Sequence, residues 1–413
     1  MRAAIDNFQK TIFTILLFLT SCSGLIADLM GLSGRGGFYI VFDVTILFLA
    51  LLSISYLRGS LLFVLLFIVA CIAFNFSYNG NSLSYSLNGI REILNVLCLA
   101  VFFNHVFSEE NEELAAEYVE LFRKFAIFFV IAQLPAAAYQ FSLHGPSDWV
   151  GGTYGNFGSG NLTLSVTCLV FFLSHFTRNL TQRLLLYACL LPLFLNETKV
   201  SFILIPVLIL FIHFKPKLKS ILGAAFAAGI ALFIFNRYFT TNIGVDFDNN
   251  LTGIFSEDFI EGYLFGDIYT YTDVPRFTKI ILAWKLLAEN ATTLLFGFEY
   301  GIFRGGEVVE MSQFSQSVQW LMTGTRPYLF FLMIQGGVLL VTGFVLLIAQ
   351  INRFFTKYNN KYKTFLFLLF IVILFYNDAL RSHNILIVYM FSIYYANSSI
   401  YNDNLDELEG ELA

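Results

Sequence analysis

FYIVFDVTILFLALLSISYLRGSLLFVLLFIVACIAFNFSYN, residues 38–79, holds two apolar runs with Arg58 between them and Asp43 near the start of the first. A hydrocarbon layer of about 30 Å takes roughly 20 apolar residues as helix, because lipid offers no partner to backbone N–H and C=O. The runs at 38–57 and 59–77 fit that requirement. The pattern recurs outward at 11–31, 87–107, 122–143, 160–177, 184–198, 199–214, 218–238, 327–350, 363–380 and 383–399. The expected fold is all-α: a polytopic integral membrane protein of about 12 transmembrane helices, with 1–413 as a single membrane domain.

Composition excludes the soluble classes, since 57% of residues are hydrophobic and only 13% are charged. Placing the N-terminus in the cytoplasm puts Arg2, Lys10, Arg58, Arg123, Lys124, Arg178, Arg183, Lys215, Lys217, Lys219, Arg353, Lys357, Lys361 and Lys363 in inside connections, 14 of the 24 basic residues. That orientation follows the positive-inside rule and puts both termini in the cytoplasm. Arg2 and Lys10 precede an apolar run too long for a signal peptide, with no A-x-A-like site after it, so the first span is expected to stay in the mature chain. Cys22, Cys71, Cys98, Cys168 and Cys189 fall within spans and form no disulfide framework or metal-ligand spacing. The acidic stretches 109–120 and 403–411 read as solvated cytoplasmic faces.

The remaining charges point the other way. Asp28, Arg35 and Asp43, then Arg91 with Glu92, Glu197 with Lys199, and Asp378 with Arg381 and His383, all fall at outward ends of spans. Charge is costly in lipid, so such a gathering points to a site. One reading is a basic pocket for an anionic headgroup, because guanidinium forks match phosphate oxygens. The competing reading is local pairing of Arg91 with Glu92, Glu197 with Lys199 and Asp378 with Arg381.

Residues 239–325 form the one long outward loop, lying between the ninth and tenth spans. Within it, Pro275 opens a stretch in which Phe277, Ile280, Ile281, Trp284, Leu287 and Ala288 recur at helical spacing. An amphipathic helix on the bundle or membrane surface is expected, with Arg276 and Lys279 on one face. The later glycines 297, 301, 305 and 306 suit a tight loop and make no phosphate-binding fingerprint.

The order of these elements resembles the O-antigen polymerase and O-antigen ligase superfamily of bacterial polysaccharide assembly. The resemblance lies in about a dozen helices, a large late outward loop, and an Arg leading an amphipathic helix into a Leu-Phe-Gly-x-Gly-like turn. Here those are Arg276 to Trp284 and Leu295-Phe296-Gly297-Phe298-Glu299-Tyr300-Gly301. Gly152 to Asn161 (GTYGNFGSGN) is similar to the family's Gly-Thr-Phe-Gly-Asn-x-Asn segment, and Thr198-Lys199-Val200-Ser201 to its Thr/Ser-Arg element. Two departures stand out. Ligases carry a His-Asn pair where Thr325-Arg326-Pro327 precedes Tyr328-Leu329 here, and the Arg that precedes the Gly-Thr-Phe segment is replaced by Ser147-Asp148-Trp149-Val150.

The resemblance implies a membrane glycosyltransferase that joins polyprenyl-diphosphate-linked oligosaccharide repeats on the outer face of a bacterial cytoplasmic membrane, making O-antigen, capsule or exopolysaccharide. Arg276, Arg326, Lys199, Arg91 and Arg381 are the expected substrate-binding residues, and Glu197, Glu299 and His383 the candidate bases. No metal, cofactor or nucleic-acid partner is expected; a chain-length regulator is a partner left open. A ligase delivering polymer to lipid A core or protein is the alternative in the same class. A lipid-oligosaccharide flippase is the alternative in another, although no repeated halves or midplane polar groups are evident in the sequence.

Overall fold

The two opening runs become helices α2 (Gly36–Ser53), extended by a 3₁₀ turn at Ile54–Tyr56, and α3 (Ser60–Asn79) in a computed structural model of the chain. Residues 2–31, 36–57, 59–79, 83–145, 147, 149–155, 158–177, 179–196, 198, 200–214, 274–302, 318–322, 326–351, 361–398 and 400–401 are described. Among them the secondary structure is entirely helical. The expected ninth span, at 218–238, lies outside the described residues, as do most of the long loop and the acidic tail at 403–411.

Among the described residues, six segments are long and apolar enough to cross a membrane. They lie in α1 (Arg2–Leu29), α2, α3, α4 (Leu83–Val106), α5 (Glu112–His144) and the late helix Tyr328–Ile351. The other expected spans form shorter helices: α6 (Ser159–Ser174), α7 (Leu180–Ala188) with α8 (Pro192–Leu195), and α9 (Ser201–His213). The long loop contributes α10 (Arg276–Ala288), α11 (Ala291–Phe296) and α12 (Gln319–Met322). Tyr328–Ile351 is α13, followed by α14 (Lys361–Tyr376) and α15 (His383–Ala396). At 1.5 Å per residue, α15 is only about 21 Å long.

Burial orders the bundle. Every residue of α15 is buried, which suits a helix apolar on all sides at the centre of a large bundle. In α4 72% of the spanning window is buried, against 28% in α2, so α2 lies at the periphery. Phenylalanine fills the middle: Phe391 of α15 stacks on Phe122 at 3.9 Å and meets Phe103 and Phe172 edge-on. Much of the chain's aromatic content is therefore packing.

The ends alternate as a serpentine bundle requires. At one end Lys10 pairs with Glu117, Gln350 bonds Ser60, and Asn397 donates to the Ile351 carbonyl. The opposite end carries the first residues of α2, α4, α13 and α15 and the last of α14, which converge on the charges described next.

Candidate functional site

Four stretches far apart in sequence supply two adjoining clusters of charged and polar side chains. Asp43 lies in the second turn of α2, Arg91, Glu92 and Asn95 lie on α4, and Arg326 precedes α13. Asp378 precedes a 3₁₀ turn, Ala379–Arg381, that ends on Arg381, and His383 begins α15. That turn is pinned locally: Asn377 accepts from Ala379 N through its side chain and from Tyr328 N through its carbonyl.

Arg381 is the hub. Its Nε and Nη2 donate to the two oxygens of Glu92 at 2.8 and 3.1 Å, and Nη1 donates to Asp378 Oδ2 at 2.6 Å. The guanidinium also lies 4.7 Å from the Phe331 ring centroid. Burial by itself would lower the Arg381 pKa, but the adjacent Glu92 and Asp378 outweigh it and raise it. Asp378 reaches a second arginine, forming a 3.5 Å ion pair with Arg326.

A second centre is built on His383. Its Nε2 donates to Asp43 Oδ1 at 2.6 Å, and Asn95 Nδ2 donates to the same oxygen at 2.6 Å. Arg91 approaches the other carboxylate oxygen at 3.3 Å. Tyr39 stacks on the imidazole and Phe42 meets it edge-on, which fixes the ring plane. His383 Nδ1 is buried and has no hydrogen-bond partner among the described residues. Beside it lies a cavity of 30 Å³ lined by Thr20, Ser23, Tyr39, Tyr154, Ser382 and His383 among others, with room for about two water molecules.

Local pairing, the competing reading of the sequence, describes Asp378 and Arg381 well. It does not describe α4, where Arg91 reaches Asp43 and Glu92 reaches Arg381. Arg276 sits at the start of α10 with its guanidinium 4.5 Å from the Tyr376 ring centroid, and Phe277 stacks on Phe375. The α10 face carrying Arg276 is docked: Lys279, Ala283 and Leu287 are buried, while Ile281 and Trp284 are exposed. The stretch Tyr376 to Arg381 thus gathers Arg276, Arg326 and its own Arg381.

Glu299 is buried in the turn after α11. That turn is bolted to α13, where Gly297 (φ 77°) and Gly337 (φ 62°) meet backbone to backbone and Phe298 N donates to the Ile334 carbonyl. A side chain at either glycine would collide with the other strand of backbone. Asn75 and Asn79 of α3 hold the same turn by donating to the carbonyls of Phe296 and Phe298. Glu197 and Lys199 lie outside the described residues, while Asn196 beside them donates to the Ser159 carbonyl and Thr163 Oγ1 on α6.

The Gly152–Tyr154 turn is held by two amides seven residues apart on α5. Gln140 exchanges two hydrogen bonds with Gly152, and Gln133 two with Thr153. Asn161, at the end of that motif, donates to Ser382 Oγ beside His383. Asn95 is the site residue that the sequence reading passed over. Its signal was a polar side chain four residues after Arg91, on the same face of an otherwise apolar span.

No known protein-family model matches the sequence, and no curated protein matches it. Fold and site together define a membrane protein that is helical throughout its described residues, with a partly buried set of ion pairs at one end of the bundle.

Proposed function

We propose that the chain is a membrane glycosyltransferase that polymerises polyprenyl-diphosphate-linked oligosaccharide repeats, with about 12 spans and the 239–325 loop on the outer face of a bacterial cytoplasmic membrane. The observation that carries this reading is the Asp43–His383 pair, with a histidine nitrogen left over, next to a turn that gathers three arginines.

In this reading the acceptor sugar hydroxyl attacks the anomeric carbon of the donor. The hydroxyl proton passes to His383 Nδ1, the bond from carbon to diphosphate oxygen breaks, and its electron pair leaves with the lipid diphosphate. Asp43 holds the imidazole in the tautomer that keeps Nδ1 as acceptor and stabilises the imidazolium formed. Arg276 and Arg326 meet the charge that develops on the diphosphate, where fixed cations act most strongly. Arg381 spends its fork on Glu92 and Asp378, which suits it to positioning the turn and Arg326. Glu92 and Asp378 keep this cation cluster from standing uncompensated in a low-dielectric setting.

The test is purified protein in lipid nanodiscs supplied with a polyprenyl-diphosphate-linked repeat unit. Growth of the oligosaccharide on the polyprenyl carrier supports polymerisation. Transfer of preformed polymer to lipid A core instead makes the protein a ligase, and movement of the lipid-linked sugar without new glycosidic bonds makes it a flippase.

A further inference from the structure

Three helices bring polar side chains to the walls of the small cavity beside His383. Thr20 and Ser23 come from α1, Asn161 from α6, and Ser382, His383 and Asn384 from the start of α15. Thr20, Ser23, His383 and Asn384 are each more than nine-tenths buried.

Hydrogen bonds already made give these groups fixed roles. The Thr20 hydroxyl donates to the Leu16 and Leu17 carbonyls, and the Ser23 hydroxyl to the Thr20 carbonyl. Their hydrogens are therefore committed along α1, and toward the cavity both oxygens act as acceptors. Ser382 Oγ accepts from Asn161 Nδ2 at 3.1 Å, which leaves its own O–H to donate. Asn384 accepts from Ile385 N through Oδ1, so its amide nitrogen is also a donor. His383 Nε2 is committed to Asp43, and Nδ1 is buried without a partner among the described residues.

A space of 30 Å³ is far too small for a sugar ring. Buried polar cavities of this size with several hydrogen-bonding neighbours hold ordered water, whereas cavities that stay dry are lined by hydrocarbon. Acceptors on α1 and donors at the start of α15 together match a water molecule, which donates twice and accepts twice.

We propose that this cavity binds one or two ordered water molecules, and that one of them bonds His383 Nδ1 and carries to it the proton of the attacking sugar hydroxyl. The proton-carrying step rests on the polymerase reading; the water site does not. As the sugar oxygen attacks the anomeric carbon, its O–H bond breaks and the proton joins the water oxygen. One of the water's own O–H bonds breaks in turn, and that proton forms the N–H bond at Nδ1. The water is restored, and the imidazolium stands against the Asp43 carboxylate. Thr20 and Ser23 are positioning residues that hold the water, and Asn161 acts on it through Ser382.

Full-length protein in nanodiscs, labelled with nitrogen-15 histidine, tests the site. The chain has five histidines, and His383→Gln identifies the signals of the one in question. In solid-state NMR, magnetisation from water protons should reach His383 Nδ1 in wild type. Ser23→Leu fills the cavity and should abolish that transfer. Thr14→Val, on α1 but outside the cavity lining, should leave it intact.

Single-turnover chain extension tests the relay. The wild-type rate should depend on the deuterium fraction of the solvent along a curve, the mark of more than one proton in motion. Ser23→Leu should lower kcat roughly tenfold or more, within the range that proton transfer contributes, with KM for the lipid-linked donor unchanged. Absence of water transfer to Nδ1 in wild type would overturn the proposal whatever the variants do. A straight isotope dependence in wild type, or full transfer in Ser23→Leu, would overturn it as well. The two readings fail separately: water at Nδ1 without chain growth removes the polymerase and leaves the site, whereas chain growth with no water at Nδ1 removes the site alone.

Discussion

His383 Nε2 and Asp43 Oδ1 stand 2.6 Å apart across 340 residues of sequence, and the histidine's other nitrogen is left without a partner among the described residues. A carboxylate bonded to one imidazole nitrogen fixes the tautomer and makes the opposite nitrogen an acceptor. The pair is held from both sides, by Asn95 on Asp43 and by Tyr39 and Phe42 on the ring.

Asp43→Asn removes the charge and keeps the shape. It should slow repeat-unit joining by about a hundredfold or more, the usual scale for general-base catalysis, with donor binding little changed. His383→Ala should be at least as slow. Initial rates at saturating donor check this, and a wild-type rate in His383→Ala would remove the base from the mechanism.

Arg381 is expected to act through structure. Replacing it with Ala removes the bidentate partner of Glu92, whose side chain is only 4% exposed, and the ion pair with Asp378. Breaking a buried pair in this way costs about 3–5 kcal/mol. Thermal unfolding in detergent should show a large fall in midpoint for Arg381→Ala and partial recovery in Glu92→Gln/Arg381→Ala. Equal midpoints for the single variant and wild type would show that the pair carries no stability.

Arg276 should matter through charge and planar shape together. Arg276→Ala is expected to abolish chain growth with normal membrane expression, and Arg276→Lys to restore only part of it, since an ammonium cannot make a bidentate phosphate contact. Tyr376→Ala removes the ring under the guanidinium and should lower activity less than Arg276→Ala does, because it alters position and leaves charge. Polymer length on gels reads all three.

The spans were legible because lipid forces a simple rule on backbone and composition, and runs such as 38–57 and 59–77 obey it plainly. The shorter helices were less so: 184–198 breaks into α7 and α8, with Pro192 at the first position of the second. Most of the charges that meet in the site could be named from sequence, since ionisable groups in apolar runs are conspicuous. Their pairing could not be, because which carboxylate faces Arg91 depends on the rotation and height of α2 against α4. The same holds for Lys279, which sequence places on one face of a surface helix with Arg276 and packing buries completely. Asn75 and Asn79 gave no chemical signal of their own, and only the meeting of Gly297 with Gly337 shows why amides are needed there.

Orientation can be tested on α5, whose 33 residues reach about 50 Å and so exceed the hydrocarbon thickness of about 30 Å. In a protein with its native cysteines replaced, Glu113→Cys should react with a membrane-impermeant maleimide only after the membrane is opened, and Ser147→Cys should react in intact spheroplasts. Ser256→Cys in the long loop should behave like Ser147→Cys. Reaction of Glu113→Cys and Ser147→Cys from the same side would break the serpentine order.

The final prediction separates polymerase from ligase at Arg326, which occupies the segment where ligases of the resembled superfamily place His-Asn. An arginine stays protonated and cannot act as the base that a neutral histidine supplies. Its contact with Asp378, itself tied to Arg381, holds it as a cation next to the Arg381–Glu92 pair. Arg326→His should therefore shorten or abolish polymer without creating transfer to lipid A core. Arg326→Lys should keep some polymer but shift the length distribution downward, because the growing chain is released more often between additions. Purified wild-type protein that moved preformed polymer to lipid A core, equally well with or without Arg326, would replace the polymerase reading with the ligase one.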